Sequence, residues 1–144
     1  MKNSKKSLLK GGILIGTILF ALIATSAKLE RQQEKWVVPE AAKKMKNPTD
    51  PTDEDGQFVG KSLYLKHCRS CHGKIGKGDG PKSAELKTPC GDLTTKEVQM
   101  QTDGELFYKM SEGKGDMPSF KKRIVQDEDR WNVVNYIRTL NASK

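Results

Sequence analysis

The stretch KHCRSCHGK, residues 66 to 74, decides how the rest of the chain is read. Of the 3 cysteines and 2 histidines in 144 residues it holds all but Cys90, and Cys68, Cys71 and His72 fall within one turn's reach of each other. Three chemistries use such a cluster. Zinc could draw on Cys68, Cys71, His72 and Cys90 as soft ligands, but the adjacent Cys71 and His72 strain tetrahedral convergence, and Cys90 lies in a loop with no second spaced pair. A redox dithiol wants its first cysteine exposed at a helix N-terminus in a βαβ setting, where the helix dipole lowers the thiol pKa. Here the pair follows a helical pattern instead. The third chemistry is covalent haem attachment through C-x-x-C-H: the sulfurs of Cys68 and Cys71, one turn apart, form thioethers with the two vinyl groups, and His72 ligates the iron.

The flanking sequence supports the third. Val59, Leu63 and His67, with Gly60 and Tyr64 beside them, recur at helical spacing, and Asp53 and Asp55 favour a helix start, so a helix runs straight into Cys68. Residues 73 to 92 are rich in Gly and Pro and read as loop. Thr94 with Glu97, and Thr102 with Glu105, match the capping-box spacing and predict short helices near 95–100 and 103–111, the second ended by Gly113. GKGDMPSF, residues 113 to 120, is loop again. The last helix, Asp127 to Leu140, has acids in its first turn, Arg138 in its last, and an apolar stripe through Trp131, Val134, Ile137 and Leu140. No strand signal is convincing, so the fold class is all-α, with short helices and long loops. Hydrophobic residues make up 35% and aromatics 6% of the chain, a deficit that a large prosthetic group inside the loops would fill.

A second iron ligand has to come from the far side of the haem. His67 immediately precedes Cys68 and cannot reach that face; it is read as solvent-facing or partly packed. Among the methionines, Met45 lies in a polar segment, while Met110 and Met100 occupy spacings typical of core positions. Met117 sits between Gly113, Gly115 and Pro118, and the proline biases it toward an extended backbone that can project the thioether inward. Met117 is therefore the expected second axial ligand.

The chain ends differ from its middle. Lys2, Lys5, Lys6 and Lys10 precede GGILIGTILFALIATSA, residues 11 to 27, which carries no charge. Residues 1–27 are thus expected to be a signal peptide or a membrane anchor, with the lysines cytoplasmic and everything after Lys28 on the periplasmic side. Thr25-Ser26-Ala27 offers a weak cleavage site. Residues 28–55, polar and punctuated by Pro39, Pro48 and Pro51, are expected to form a tether, with Trp36, Val37 and Val38 as its docking points, and 56–144 to form the folded domain. The formal charge of +8 falls to about half once the leading lysines are set aside, too slight and dispersed for nucleic-acid binding. GKIGKGDG, residues 73 to 80, lacks the strand-to-helix setting of a nucleotide site.

GKSLYLKHCRSCHG, GKGDGP, GDMPSF and RWNVVNYIRTL, in that order over residues 56 to 142, resemble the small monohaem class I c-type cytochromes. The resemblance implies the class I cytochrome c fold around one covalent haem c per chain. It implies that the first and last helices cross near the haem, Gly60 permitting the close approach and Tyr64 packing near Tyr136. It also implies that the Pro81 carbonyl accepts a hydrogen bond from the His72 ring. Cys90 departs from the pattern as an odd thiol, read as a partly buried free cysteine. With His72 and Met117 in both axial positions the iron has no open site, which limits the chain to one-electron transfer between respiratory partners, a quinol-oxidising complex and a terminal oxidase or reductase, either as a mobile carrier or as a fixed subunit, and not to catalysis. Lys74, Lys77, Lys82, Lys114, Lys121, Lys122 and Arg123 are placed to dock an acidic partner. The rival reading is a haem enzyme or gas sensor with a labile Met ligand, which carbon monoxide binding would expose.

Overall fold

The computed structural model describes residues 36–141, and its elements follow in the order α1 (Glu40–Lys43), α2 (Glu54–His67), α3 (Arg69–His72), a 3-10 turn (Ser83–Glu85), α4 (Lys96–Gln99), α5 (Asp103–Glu112) and α6 (Asp127–Thr139). Among the described residues there is no strand, only an isolated bridge between Lys114 and Met117, and the all-α class expected from the sequence is the class observed. The segment 1–27, expected as signal or anchor, and residues 28–35 of the expected tether lie outside the described residues. Among those described, no helix is long and apolar enough to cross a membrane.

Helix α2 starts where a carboxylate takes up its free amides. Asp53 accepts from the Gly56 N–H at 2.8 Å, Glu54 and Asp55 lie against the positive end, and Lys66 and His67 lie against the negative one. The buried face of α2 is Gly56, Gly60 and Tyr64, whereas Val59, Leu63 and His67 are only half-buried. The reason is the partner: α6 approaches so closely that a Cβ on Gly60 would lie 2.0 Å from the Asn132 carbonyl oxygen. Two backbones at that separation leave room only for glycine, and the apolar residues are displaced to the flanks.

The crossing places Tyr64, Val133 and Val134 out of water, and burial of side chains of this size stabilises by about 1.5–3 kcal/mol each. Tyr64 packs on Tyr136 with ring centroids 5.1 Å apart, and its hydroxyl donates to the Gly73 carbonyl at 2.9 Å, so the polar end is satisfied inside the core. Helix α5 is held by the expected capping box between Thr102 and Glu105, and its Phe107 stacks on Trp131 at 3.9 Å. The other expected box is displaced by one residue. Thr95 caps α4 and accepts from Val98 N–H at 3.4 Å, while Thr94 is buried and donates to Asp92 at 2.7 Å.

Residues 36–53 correct the expected tether. They lie on α5 and α6 as a strap, with Val38 and Ala42 buried, so the folded unit includes residues from Trp36 onward rather than starting at residue 56. Asn47 Nδ2 donates to Asn135 Oδ1 at 2.6 Å, Asn135 Nδ2 donates to Thr49 Oγ1 at 2.9 Å, and Thr102 Oγ1 donates to the Lys43 carbonyl at 3.0 Å. Gly104 admits the strap: a Cβ there would meet the Ala42 carbonyl oxygen at 2.0 Å. Polar side chains that read as solvated instead satisfy buried groups on α6, such as Asn135, which is 3% exposed.

Candidate functional site

Helix α2 stops at Cys68, whose N–H still donates to the Tyr64 carbonyl at 2.8 Å but whose φ of −111° turns the chain out of the helix. Cys71 and His72 then both donate to the Cys68 carbonyl, at 3.2 and 2.9 Å, closing the single turn α3. That bend sends Cys68 into the core, 8% exposed, and leaves Cys71 and His72 half-buried on the next turn. Gly73, at φ 79°, ends it. The carbonyls this short turn cannot satisfy are taken up by the following loop: Lys82 donates to Ser70 at 2.8 Å, Gly80 to Cys71 at 3.1 Å and Gly78 to His72 at 2.9 Å. The glycine-rich stretch after the motif is therefore a cover for the turn.

Burial sets the chemistry of these side chains. It pushes the Cys68 thiol up to about 12 and, with Cys71 nearby, the Cys90 thiol up to about 11. Burial also lowers the His72 pKa, with the Gly91 backbone partly opposing, which favours the neutral imidazole that ligates metals. His72 Nδ1 lies 3.2 Å from Cys90 Sγ. The His72 ring meets Cys90 and Gly91, where the 90–93 segment folds behind the turn, and Pro81, whose carbonyl the resemblance offers to that ring, is exposed. No local pattern could have announced a contact made across eighteen positions, although the odd cysteine marked the residue as unusual.

Met117 is half-buried and packs against the same apolar cluster that contains Cys68, Leu106, Phe107, Met110 and Trp131. Its loop is tight: Lys114 and Met117 exchange backbone hydrogen bonds at 2.9 and 3.1 Å, and Gly113 and Gly115 supply φ of 72° and 59°. Phe120 N–H donates to Met110 at 3.3 Å and Ser119 Oγ to the Ser111 carbonyl at 2.6 Å, clipping the loop to the end of α5. The other methionines divide. Met110 is core at 3% exposure, Met45 is 41% exposed, and Met100, expected in the core, is 72% exposed at the end of α4. His67 stands edge-on to Phe120 with centroids 6.2 Å apart.

The donor set fits a covalent haem. Two thiols share one turn, the imidazole beside them is favoured in its neutral form by burial, and a thioether borders the same apolar wall. Among the described residues no group of three or more His, Cys, Asp or Glu side chains is arranged to hold a metal ion, so the four soft ligands counted for zinc are not assembled. Lys74, Lys77, Lys82, Lys114, Lys121, Lys122 and Arg123 are all exposed, with Lys121 paired to Glu112.

Comparison with known proteins agrees with this arrangement. No curated protein matches the chain in sequence. A solved chain of the Kuenenia stuttgartiensis reducing HAO-like protein complex is similar, with 26% identity and a TM-score of 0.60 over 77% of this chain and 53% of that one, so the present chain spans about half of its length. The family model described as cytochrome c oxidase, cbb3-type, subunit III, matches residues 59–137, more than half of the sequence and the part that carries Cys68, Cys71, His72 and Met117. The chain belongs to that family of c-type cytochrome domains.

Proposed function

We propose that the chain is a one-electron carrier holding a single haem c, attached through Cys68 and Cys71 and ligated by His72 and Met117. Haem c and electron transfer as a class follow from the family. The finer assignment is carried by one observation, that Cys68 of the C-x-x-C-H turn and Met117 of the GDMPSF loop border one apolar cluster.

Bound there, haem c supplies one-electron exchange at its iron. Cys68 and Cys71 fix the group in position, and His72, held neutral by burial, presents an imidazole. Met117 would hold the side of the iron opposite His72 and shut out small molecules there, and its weak thioether in apolar surroundings would favour the ferrous state. The exposed lysines offer a positive face to an acidic redox partner, such as a quinol-oxidising complex on one side and a terminal oxidase or reductase on the other. The lysines and uncharged run of residues 2–27 support a place on the periplasmic side of the cytoplasmic membrane, anchored or released by cleavage. A fixed subunit of a larger redox assembly is the variant favoured by the family's description and by a solved relative that is part of a complex.

The test is production in a host competent in cytochrome maturation. The product should weigh one haem more than its polypeptide, keep its red colour through acid acetone, and bind no carbon monoxide when reduced. A colourless product of polypeptide mass sinks the proposal, and carbon monoxide binding redirects it to a haem enzyme or gas sensor. Electron exchange with an acidic redox protein should also slow roughly tenfold between low and physiological ionic strength; a rate indifferent to salt would leave the lysines without a docking role.

A further inference from the structure

We propose that the cavity between the strap, the end of α5 and the start of α6 binds a small uncharged ring bearing carbonyl oxygens, a molecule of the quinone class, whose oxygens accept from Ser111 Oγ–H and Arg130 Nε–H. The cavity holds about 500 Å³, within the range that small ligands occupy. Cys68, Cys71, His72 and Met117 take no part in its wall, so it is separate from the C-x-x-C-H turn and does not rest on the function proposed above.

Two unpaired donors mark the site. Ser111 is 2% and Arg130 5% exposed, and among the described residues Ser111 Oγ and Arg130 Nε are the buried side-chain atoms left without a hydrogen bond. Both residues line this cavity. Buried polar groups are nearly always paired, so two such donors on one wall point to an acceptor that is not part of the chain. Arg130 cannot turn to find one elsewhere: its Nη1 donates to the Ile124 carbonyl and, at 3.1 Å, to the Val125 carbonyl, and its Nη2 pairs with Asp127. Ser111 is fixed through its carbonyl, which accepts from Ser119 Oγ at 2.6 Å.

The lining selects the kind of ligand. Phe107, with the Arg130 guanidinium 5.3 Å from its ring centroid, lies on the inner wall, and the exposed side chains of Met45 and Val125 form apolar lips. The charges at the rim cancel in pairs, Lys121 with Glu112 and Arg130 with Asp127. A carboxylate or an ammonium therefore gains no net attraction, whereas a neutral ring keeps its apolar contacts and offers its oxygens to the two donors. The Lys121–Glu112 pair is exposed, and such pairs hold weakly, so it can part to admit the ring.

Duroquinone is the probe, because every ring position carries a methyl group and the Cys90 thiol cannot add to it. It is titrated into the oxidised haem-loaded protein, where no electron can pass to it, and binding is followed by the NMR shifts of Ser111, Phe107 and the Arg130 Nε–H. These shifts should saturate with a dissociation constant on the order of 1 mM or below. Benzoate, which is charged, should bind far more weakly, and p-xylene, which has no acceptor, roughly fivefold more weakly. Ser111→Ala removes only an unpaired hydroxyl and should weaken duroquinone roughly five- to tenfold while leaving p-xylene unchanged. Val125→Asp, at an exposed lip where the fold tolerates it, should weaken both. Benzoate binding as tightly as duroquinone, or a Ser111→Ala variant that treats duroquinone and p-xylene alike, overturns the proposal. A cavity that takes none of the three overturns it too, and leaves the open side to a protein partner.

Discussion

Gly60→Ala should cost the domain roughly 2–4 kcal/mol of unfolding free energy, read as a lower urea midpoint at unchanged slope. In an isolated helix the same change would stabilise by about 1 kcal/mol, because alanine loses less backbone entropy. Here the added methyl would stand 2.0 Å from the Asn132 carbonyl oxygen, 2.6 Å from its carbon and 3.2 Å from the Val133 nitrogen, all of them backbone atoms of α6 that no rotamer change can move. The two helices must separate, and the separation opens the layer of Tyr64, Val133 and Val134, which is essentially closed to solvent. Core packing is dense enough that an opening of this kind is felt at every side chain in the layer. Lys61→Ala, on the exposed side of the same helix, is the control and should change little. A Gly60→Ala protein as stable as the parent would mean that α2 and α6 do not cross at that point.

The same contrast explains what the sequence made legible. Helix ends were readable because caps are local: Asp53, Thr102 with Glu105, and the acids at Asp127 to Asp129 all act within one turn of themselves. The turn that carries Cys71 and His72 and the glycine-shaped loop around Met117 were readable as turn and loop because their backbone signals are also local. The strap was not. Its hold on α6 passes through single polar pairs such as Asn47 with Asn135, separated by 88 positions, and polar residues in a Pro-rich stretch have no periodicity that separates a docked segment from a solvated one. The contacts of the His72 ring with Cys90 and Gly91 were hidden for a related reason: which backbone or side chain meets His72 depends on how a long loop returns, and Gly78 admits the Cys90 segment at that place. Met100 was misplaced because α4 ends just before it, at Gln99, so the helical spacing no longer governs where its side chain points.

Met117→Ala, made in the haem-loaded protein, should abolish the sulfur-to-iron absorption band, allow carbon monoxide to bind the reduced form, and lower the reduction potential by on the order of 100 mV, within the ~0.8 V that axial ligands command. The value of the measurement lies in pairing it with Met110→Ala. Met110 is 3% exposed in the centre of the apolar cluster, and truncation of a buried methionine costs about 2–5 kcal/mol. Met117 is only half-buried in a loop held by its own backbone bonds to Lys114 and by the clip from Ser119 to Ser111, so its side chain contributes less packing. The two variants should therefore exchange effects: Met110→Ala loses stability and keeps the band, while Met117→Ala loses the band and keeps most of its stability. Met100→Ala, at 72% exposure, should change neither. A band that survives in Met117→Ala, or disappears in Met110→Ala or Met100→Ala, would transfer the axial position to another residue, and with it the claim that the glycines at 113 and 115 shape their loop to aim a thioether.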